Sequence, residues 1–587
     1  MITLFKKFNK KQVLLVLCSI LFIIFQVYID LKLPDYMSKI TMLIQAEGNS
    51  MSEILEQGFY MVACAFGSLA SAVVVGYFAS LLSASFSRKL RKEIFAKVES
   101  FSMNEIKKFS TSSLITRTTN DVTQIEMFIA MGLQMMVKAP IMAIWAVSKI
   151  LDKSFEWSML TAGCVVVLLS TIITIMIIVL PRFAKVQKLI DKVNRVTREN
   201  LTGIRVIRAF NAEKYQEARF DNVNNDLTNM QLFNQRCFAF LNPVMYLVMH
   251  ALTLGIYLIG AYLINGAGML EKMTLFSNMV VFTSYGMQVI MSFLMLAMIF
   301  MMWPRVQVSA KRINEVLDEE VIIKDGTKDG SKAREVGTVE FKNVSFKYPD
   351  ADEYILRDIS FKVEKGETIA FIGSTGSGKS TLINLVPRFY DVTEGQVLVD
   401  GINVKDYKLE NLYNKLGYVP QKAVMFTGTV ASNVSYGDNG REKATTEQIK
   451  KAIKIAQGAD FVEKMPKKYN SHIARGGTNI SGGQKQRLAI ARAIAREPEI
   501  YIFDDSFSAL DYKTDSLLRK ELKKYTKDAT SMIVAQRIGT IINADKIVVL
   551  DKGRCVGIGT HKELLKKCKV YKEIALSQLS KEELDNG

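Results

Sequence analysis

Six long apolar stretches crowd into the first half of this 587-residue chain. They run from Val13 to Leu33, Phe59 to Ser83, Met131 to Leu151, Met159 to Leu180, Phe238 to Ile264 and Asn278 to Trp303. A helix needs roughly 20 such residues to cross the hydrocarbon core of a bilayer. In lipid each lone span must be helical, because its backbone polar groups have to be satisfied internally. Six spanning helices therefore constrain the fold before anything else does. The first run follows Lys6, Lys7, Lys10 and Lys11, is too long for a signal-peptide core and lacks a small-residue cleavage site, so it is expected to remain as a helix.

Orientation follows from the loops. The turns after the first, third and fifth spans carry few Lys or Arg, the turn after the third being the short DKSFEW segment 152–157. The N-terminal tail and the loops 84–130 and 181–237 carry many, which predicts that both termini are cytoplasmic. These two loops hold few Gly or Pro and read as helices that prolong the spans into the cytoplasm. Lys138 falls well inside the third span. A Lys at mid-bilayer costs about 3 kcal/mol, so it either snorkels to the inner interface or faces a cavity. His250 in the fifth span reads as a helix–helix hydrogen-bonding group or a cavity residue. Met287, Met291, Met295, Met298, Met301 and Met302 in the sixth either pack against lipid and core or form an adaptable surface for hydrophobic ligands.

Composition agrees with a chain half embedded and half soluble: 49% of residues are hydrophobic, yet 23% are charged. The net charge of +18 could mark a nucleic-acid binder, but no reader motif accompanies it. Basic cytoplasmic loops account for it, and no nucleic-acid partner is expected. Cys18, Cys64, Cys164, Cys237, Cys555 and Cys568 include no CxxC pair, which argues against a zinc ribbon or a disulfide framework. The only histidines are His250, His472 and His561.

The predicted architecture is a six-helix transmembrane domain over 1–310, a linker over 311–337, an α/β P-loop domain with a helical subdomain over 338–575, and a tail over 576–587. After Pro304 the chain turns polar, and DGTKDGSKAREVG (325–337) has the Gly content of a linker. Strand signals follow in GTVEFKNVSFKY and ETIAFIG. The next segment, Gly373-Ser374-Thr375-Gly376-Ser377-Gly378-Lys379-Ser380, fits G-x-x-x-x-G-K-[ST] in full. It follows an apolar strand and precedes a periodic segment, TLINLVPRFY, that begins at Thr381 and is expected to be helical. Its glycines let backbone N–H groups close around phosphate oxygens. Lys379 would reach the β- and γ-phosphates, and the Ser380 hydroxyl would ligate Mg²⁺.

A second constellation lies about a hundred residues on. NISGGQKQR (479–487) opens the helical pattern LAIARAIARE, which leads into the apolar strand IYIFD ending at Asp504. An apolar strand ending in Asp, after a P-loop, is the pattern of a carboxylate that holds Mg²⁺. Ser481-Gly482-Gly483-Gln484, placed between these two motifs, resembles the signature of ATP-binding cassette (ABC) proteins. The resemblance extends over nearly the whole chain. It implies that Tyr348 stacks on adenine, that Gln421 in YVPQ ends the glutamine loop and joins Ser380 and Asp504 as a metal ligand, and that Ser508–Asp511 form the D-loop. TRTTNDV (116–122) and ENLTGIRVIRAF (199–210) resemble the cytoplasmic coupling regions of six-helix ABC exporters. The chain thus resembles a half-transporter, two copies of which sandwich each ATP between one chain's P-loop and the other's signature.

Two positions depart from the family pattern. The residue after Asp504 is Asp505, where most members carry the Glu that polarises the attacking water, and the family's switch His falls at Gln536. Asp is one methylene shorter, so its oxygens should sit more than about 1 Å back, and losing general-base reach costs about 10²–10⁴ in rate. Gln can hydrogen-bond a phosphate but carries no proton of the imidazolium kind. Ile480 replaces the usual Leu, and Arg475 stands where many exporters are acidic, but the rest of the signature is intact. The pattern resembles the degenerate-site half of bacterial heterodimeric multidrug exporters. It implies ATP and Mg²⁺ as cofactors, a homologous half-transporter as partner and a bacterial plasma membrane as location. The expected cargo is hydrophobic or amphipathic, most plausibly drugs. A lipid or peptide exporter, or a nucleotide-gated sensor, is the alternative. The first span begins near residue 13, so an N-terminal cysteine-protease domain of the kind that matures peptide cargo is not expected.

Overall fold

The computed structural model describes residues 2–45, 50–151, 155–331, 333 and 335–579. The chain divides into two compact units, one formed by Met1–Glu99 with Ser110–Glu319, the other by Ser100–Phe109 with Glu320–Gly587.

The first unit is built of long helices: α1 (Lys10–Gln45), α2 (Met51–Glu99), α3 (Val122–Leu151), α4 (Phe155–Ala209), α5 (Glu213–Ala239), α6 (Leu241–Gly266) and α7 (Met269–Leu317). Among the described residues six helices are long and apolar enough to cross a membrane, matching the six expected spans. Residues 152–154 of the expected DKSFEW turn lie outside the described residues, while Phe155–Trp157 already belong to α4. At about 1.5 Å per residue α4 is roughly 80 Å long, so its polar half extends far beyond a bilayer. The core gathers around Trp157, whose ring meets Phe282 at a tilt with centroids 5.4 Å apart and whose indole N–H donates to the Ile256 carbonyl at 3.2 Å.

Polar groups inside this unit find one another. Lys138 is paired: its Nζ lies 3.0 Å from Asp30 Oδ2, and Ser68 Oγ donates to the other oxygen of Asp30 at 2.5 Å. Lys149 pairs with Asp35 at 3.0 Å, and the Tyr285 hydroxyl donates to Asp35 at 2.7 Å. Apolar patterning hid these partners because Asp30 falls inside the first run and Asp35 just past it, and a pairing between helices leaves no periodic signal in either. His250 is exposed on α6 and hydrogen-bonds to no other helix among the described residues. Along α7 the core side is Val281, Phe282, Tyr285, Val289 and Ile290, whereas Met291 and Met298 are exposed. The segment TRTTNDV forms a π-helical turn, Arg117–Asp121, against the polar end of α7. There Arg117 reaches Glu315 at 2.9 Å, and Ser309 Oγ donates to Asp121 at 3.0 Å.

The second unit is an α/β domain. Its strands are β1 (Val339–Phe346), β2 (Leu356–Val363), β3 (Thr368–Gly373), β4 (Glu394–Val399), β5 (Ile402–Asn403), β6 (Leu416–Val419), β7 (Gly428–Thr429), β8 (His472–Ile473), β9 (Ile500–Asp504), β10 (Thr530–Val534), β11 (Lys546–Asp551) and β12 (Arg554–Gly559). Six of them form a sheet in the order β12-β11-β3-β10-β9-β6, parallel throughout except for edge strand β12. An antiparallel sheet, β2-β1-β4-β5, covers one side. Alternate residues of the central strands feed two cores, as a parallel sheet covered on both faces requires. Ile502, Met532, Val534 and Phe371 face the antiparallel sheet, while Phe503, Ile533, Ala370 and Ile372 face the helical subdomain.

Three boundaries differ from the sequence reading. The linker expected from 311 begins inside α7, because Ile313 and Val316 continue its buried stripe to Leu317. Its remainder is not a free tether: the backbone of Gly326 and Lys328 bonds to 406–407. The TLINLVPRFY segment is helical only as α8 (Lys379–Asn384), since Pro387 disfavours helix in the residue before it and Arg388 turns to φ 54°. Residues 576–578, expected in the tail, close the last helix, Lys569–Gln578; 580–587 lie outside the described residues.

Candidate functional site

Parallel strands deliver the motifs to one edge. Ligands of open α/β sheets bind beyond the carboxyl ends of the strands. Here β3 ends in Gly373, β9 in Asp504, β10 runs two residues short of Gln536, and β6 ends two residues before Gln421. Because β6, β9, β10 and β3 are sheet neighbours, Val534 sits in register with both Asp504 and Phe371. Residues scattered from 348 to 536 are thereby brought to one place.

In the P-loop, Gly376 and Gly378 take φ 82° and 95°, conformations costly for any residue with a Cβ. The turn between them aims successive N–H groups inward. Lys379 Nζ spans the loop, donating to the Gly373 and Ser374 carbonyls at 2.8 Å and to Ser377 Oγ at 3.4 Å. Its burial favours the neutral amine and lowers its pKa, opposed by the nearby charges of Asp505 and Asp504. Helix α8 is too short to supply much macrodipole, so the backbone nest is the main anion-binding element. Tyr348 is half-buried at the rim. Its ring meets Phe346 and Tyr390 edge-on at 5.0 and 5.2 Å, and its hydroxyl lies 3.1 Å from Thr381 Oγ1.

Ser380 Oγ donates to Asp504 Oδ1 at 2.8 Å. Burial pushes the Asp504 carboxyl above its ordinary value, with the Ser380 bond working against the shift. Asp505 is also buried and raised, chiefly by burial. It stands in the left-handed region at φ 46°, which Asp tolerates better than most side chains. One of its oxygens, Oδ2, accepts from Gln536 Nε2 at 2.7 Å and from Gln421 Nε2 at 3.3 Å. Two carboxamides therefore converge on the carboxylate that occupies the position of the family's glutamate. No imidazole joins them. His250 is on α6, His472 is exposed on β8, and His561 is buried with Nδ1 2.7 Å from the Tyr571 hydroxyl.

The signature is built differently. Ser481 caps α9 (Gly482–Ala495), accepting from Gln484 N at 3.3 Å while its own N–H donates to Gln484 Oε1 at 2.9 Å. This reciprocal box leaves the first N–H groups of a 14-residue helix facing outward beside exposed Ser481 and Gly482. A Cβ on Gly482 would meet nothing within 4 Å, while one on Gly483 would come within 3.3 Å of the Ala509 carbonyl in the D-loop. No hydrogen bond among the described residues joins Ser481–Gln484 to the P-loop, so the two half-sites stay apart within one chain.

Three contributors lay outside the sequence reading. Gln578 Nε2 donates to the Gln536 carbonyl at 2.8 Å, and its Oε1 accepts from Ile538 N, pinning the loop after β10. Tyr390 packs on Tyr348. The segment Ser100–Phe109, just upstream of TRTTNDV, belongs to the second unit. Its Glu105 accepts from Ile322 N at 3.3 Å, and Lys107 Nζ sits 5.5 Å above the Tyr348 ring. Ser102–Glu105, an N-cap with an acidic third position, was the available signal for a separate short helix.

Comparison with known proteins agrees with this geometry. The ABC transporter family model matches residues 356–508, and the ABC transporter transmembrane region model matches 16–303. An uncharacterised ABC transporter ATP-binding protein of Mycobacterium tuberculosis is 39% identical over 520 residues, covering 88% of this chain and 87% of the relative. A Staphylococcus aureus protein, named for multidrug export as an ATP-binding/permease protein, is 34% identical over 85% of both chains. Among solved structures, a bacterial Atm1-family ABC exporter with ATP bound superposes with a TM-score of 0.81 at 25% identity, covering 97% of this chain and 98% of that one.

Proposed function

Because the chain belongs to the ABC transporter family, as a transmembrane region fused to an ATPase domain that makes it an ATP-hydrolysing exporter, we propose that it is the slow-site half of a heterodimer. In this reading its P-loop, Asp504, Asp505 and Gln536 retain ATP against the partner's signature. Its own Ser481–Gln484 complete a fast site on the partner's P-loop.

The observation that carries the proposal is the pair of bonds on Asp505. A general base must reach a water held against the γ-phosphate. Asp505 is a methylene short of the glutamate it replaces, and its Oδ2 is taken by Gln536 and Gln421 at 2.7 and 3.3 Å. Its companion cannot take the imidazole's role, since a carboxamide neither accepts nor donates a proton reversibly at neutral pH.

The residues present fit Mg²⁺: the Ser380 hydroxyl, the buried Asp504 carboxylate and the Gln421 amide oxygen are hard oxygen donors, the kind this cation takes. A bound Mg²⁺ would neutralise charge on the β- and γ-phosphates. Lys379 and the P-loop N–H groups hold those phosphates, and Tyr348 supports the base.

A partner chain accounts for another feature. Leu201, Phe210 and Tyr215, at the far end of α4 and the start of α5, are 71%, 78% and 69% exposed. Apolar groups of this size at the tip of a long polar hairpin call for a surface to cover them. A homologous half-transporter is the occupant proposed. The cargo proposed is hydrophobic or amphipathic, as the name of the S. aureus relative and the exposed Met291 and Met298 suggest. The location proposed is a bacterial plasma membrane with both termini cytoplasmic, on the strength of the basic loops.

The deciding experiment compares Mg-ATP turnover of this chain alone in lipid nanodiscs with turnover of its complex with a homologous half carrying Glu and His at the corresponding positions. Near-zero turnover alone with robust turnover in the complex is expected. Equal specific activity in both would overturn the proposal.

A further inference from the structure

A second charged site lies in the membrane unit, remote in sequence from every nucleotide motif. Between α4 and α5 is a cavity of about 630 Å³ lined by Arg182, Lys185, Lys188, Leu189, Lys192, Asp226, Asn229, Met230 and Phe233. The four cations follow helical spacing on one face of α4 and oppose a single carboxylate, Asp226. Like charges three and four residues apart repel. Among the described residues none of the four forms an ion pair that would relieve this. The Arg182 guanidinium carbon lies over the Phe233 ring, 4.5 Å from its centroid, and the guanidinium donates to the Ile178 carbonyl, so one wall is fixed from both helices. Leu189, Met230 and Phe233 give the cavity an apolar side.

Depth identifies the ligand. The apolar stretch 159–180 rises about 33 Å at about 1.5 Å per residue, which fills a hydrocarbon core of about 30 Å. Arg182 is two residues past its end and Lys185 five, about 3 and 8 Å beyond, inside the headgroup layer. Approached from the other helix the answer is the same: Phe233 precedes the apolar run that begins at Phe238 by about 8 Å. A net positive, half-apolar cavity at the level of the phosphates has the chemistry of an anionic headgroup attached to an acyl chain.

We propose that the cavity between α4 and α5 binds the phosphate of an anionic phospholipid, held by Arg182, Lys185 and Lys188 with its glycerol and chains against Phe233 and Met230. A soluble phosphate shares the charge chemistry but makes no use of the apolar wall or of the depth. Lys188, about 12 Å beyond Leu180, sits past the headgroup layer and reaches the phosphate by extending its stem back toward the bilayer, whereas Lys192, about 18 Å beyond, is too far to do so.

The test uses the full chain in bilayers of three parts phosphatidylcholine to one part phosphatidylglycerol, released for native mass spectrometry. Retained phosphatidylglycerol is expected to exceed the bilayer ratio at least fivefold, to fall within twofold of it in Lys185→Gln/Lys188→Gln, and to return in Lys185→Arg/Lys188→Arg. Lys566→Gln/Lys567→Gln, in the other unit, is expected to change nothing. Adding 10 mM inorganic phosphate is expected to leave retention unaltered. Undiminished enrichment in the glutamine variant would overturn the proposal. Displacement by inorganic phosphate would also overturn it, in favour of a soluble ligand. The arginine variant separates loss of charge from loss of folding.

Discussion

The two halves of nucleotide chemistry carried by this chain are held in opposite ways. On the P-loop side the groups are buried and satisfied by one another: Ser380 on Asp504, Gln536 and Gln421 on Asp505, Lys379 on the loop carbonyls. On the signature side Ser481 and Gly482 are exposed, and the capping box leaves helix N–H groups directed outward. A half-site that satisfies itself needs no second chain to be stable, and it binds ATP without presenting a base of full reach. A half-site that points its donors outward does nothing until a phosphate from elsewhere meets it. Under the proposed reading, this chain contributes to turnover through its signature rather than its P-loop.

The largest expected effect tests that ranking directly. In the complex, Ser481→Arg would block the N-terminus of α9 and is expected to lower turnover at least a hundredfold, the order seen when a donor to a transferring group is removed. Asp505→Asn is expected to change it by no more than about threefold, because the residue is not the effective base under the proposal. ATPase assays of the two single variants would break the comparison if Asp505→Asn proved the more damaging.

A smaller effect, in the opposite direction, should follow from repairing the weak side. Asp505→Glu with Gln536→His restores both reach and a titratable partner, and turnover should rise about tenfold or more where the facing signature is functional. The Glu alone should give less, because it must take φ 46° and still compete with Gln421 and Gln536 for its carboxylate. Equal gain from the single and double variants would mean that Gln536 already serves as the switch.

Much of this was legible in the chain because it depends on local pattern. Apolar length named the spans, and glycine spacing between a strand and a helical segment named the P-loop. The signature was recognisable through its resemblance to a family motif at the right place between the P-loop and Asp504. What stayed hidden depends on tertiary pairing. Asp30 meets Lys138 only because α1 and α3 pack, and Gln578 reaches Gln536 only because the last helix returns to the sheet. The assignment of Ser100–Phe109 to the ATPase unit was invisible for the same reason. Its ten residues continue a basic, helical loop in sequence, and only their contacts with Ile322 and Tyr348 separate them from it.

The smallest effect separates the two sides by stability rather than rate. Asp505 is buried with its carboxyl above the ordinary value of 3.8, so the folded state binds its proton more tightly than the unfolded chain. The unfavourable contribution of its charge is absent below 3.8 and grows as pH rises from there through the folded value. Asp505→Asn, which tolerates the left-handed backbone and can still accept from Gln536, should therefore be more stable than the parent at pH 7.5 by about 1 kcal/mol, or about 2–4 °C in Tm, with the gap shrinking as the second pH is brought down toward 3.8. Ser481→Ala removes an exposed cap with no titrating group and should cost about 1 kcal/mol at both pH values. Melting curves of the full chain at the two pH values distinguish them. A destabilised Asp505→Asn at pH 7.5 would mean that the bonds from Gln536 and Gln421 outweigh the burial of the charge. The carboxylate would then be held ionised by the site, as an effective base requires, and the contrast between the two half-sites would lose its electrostatic footing.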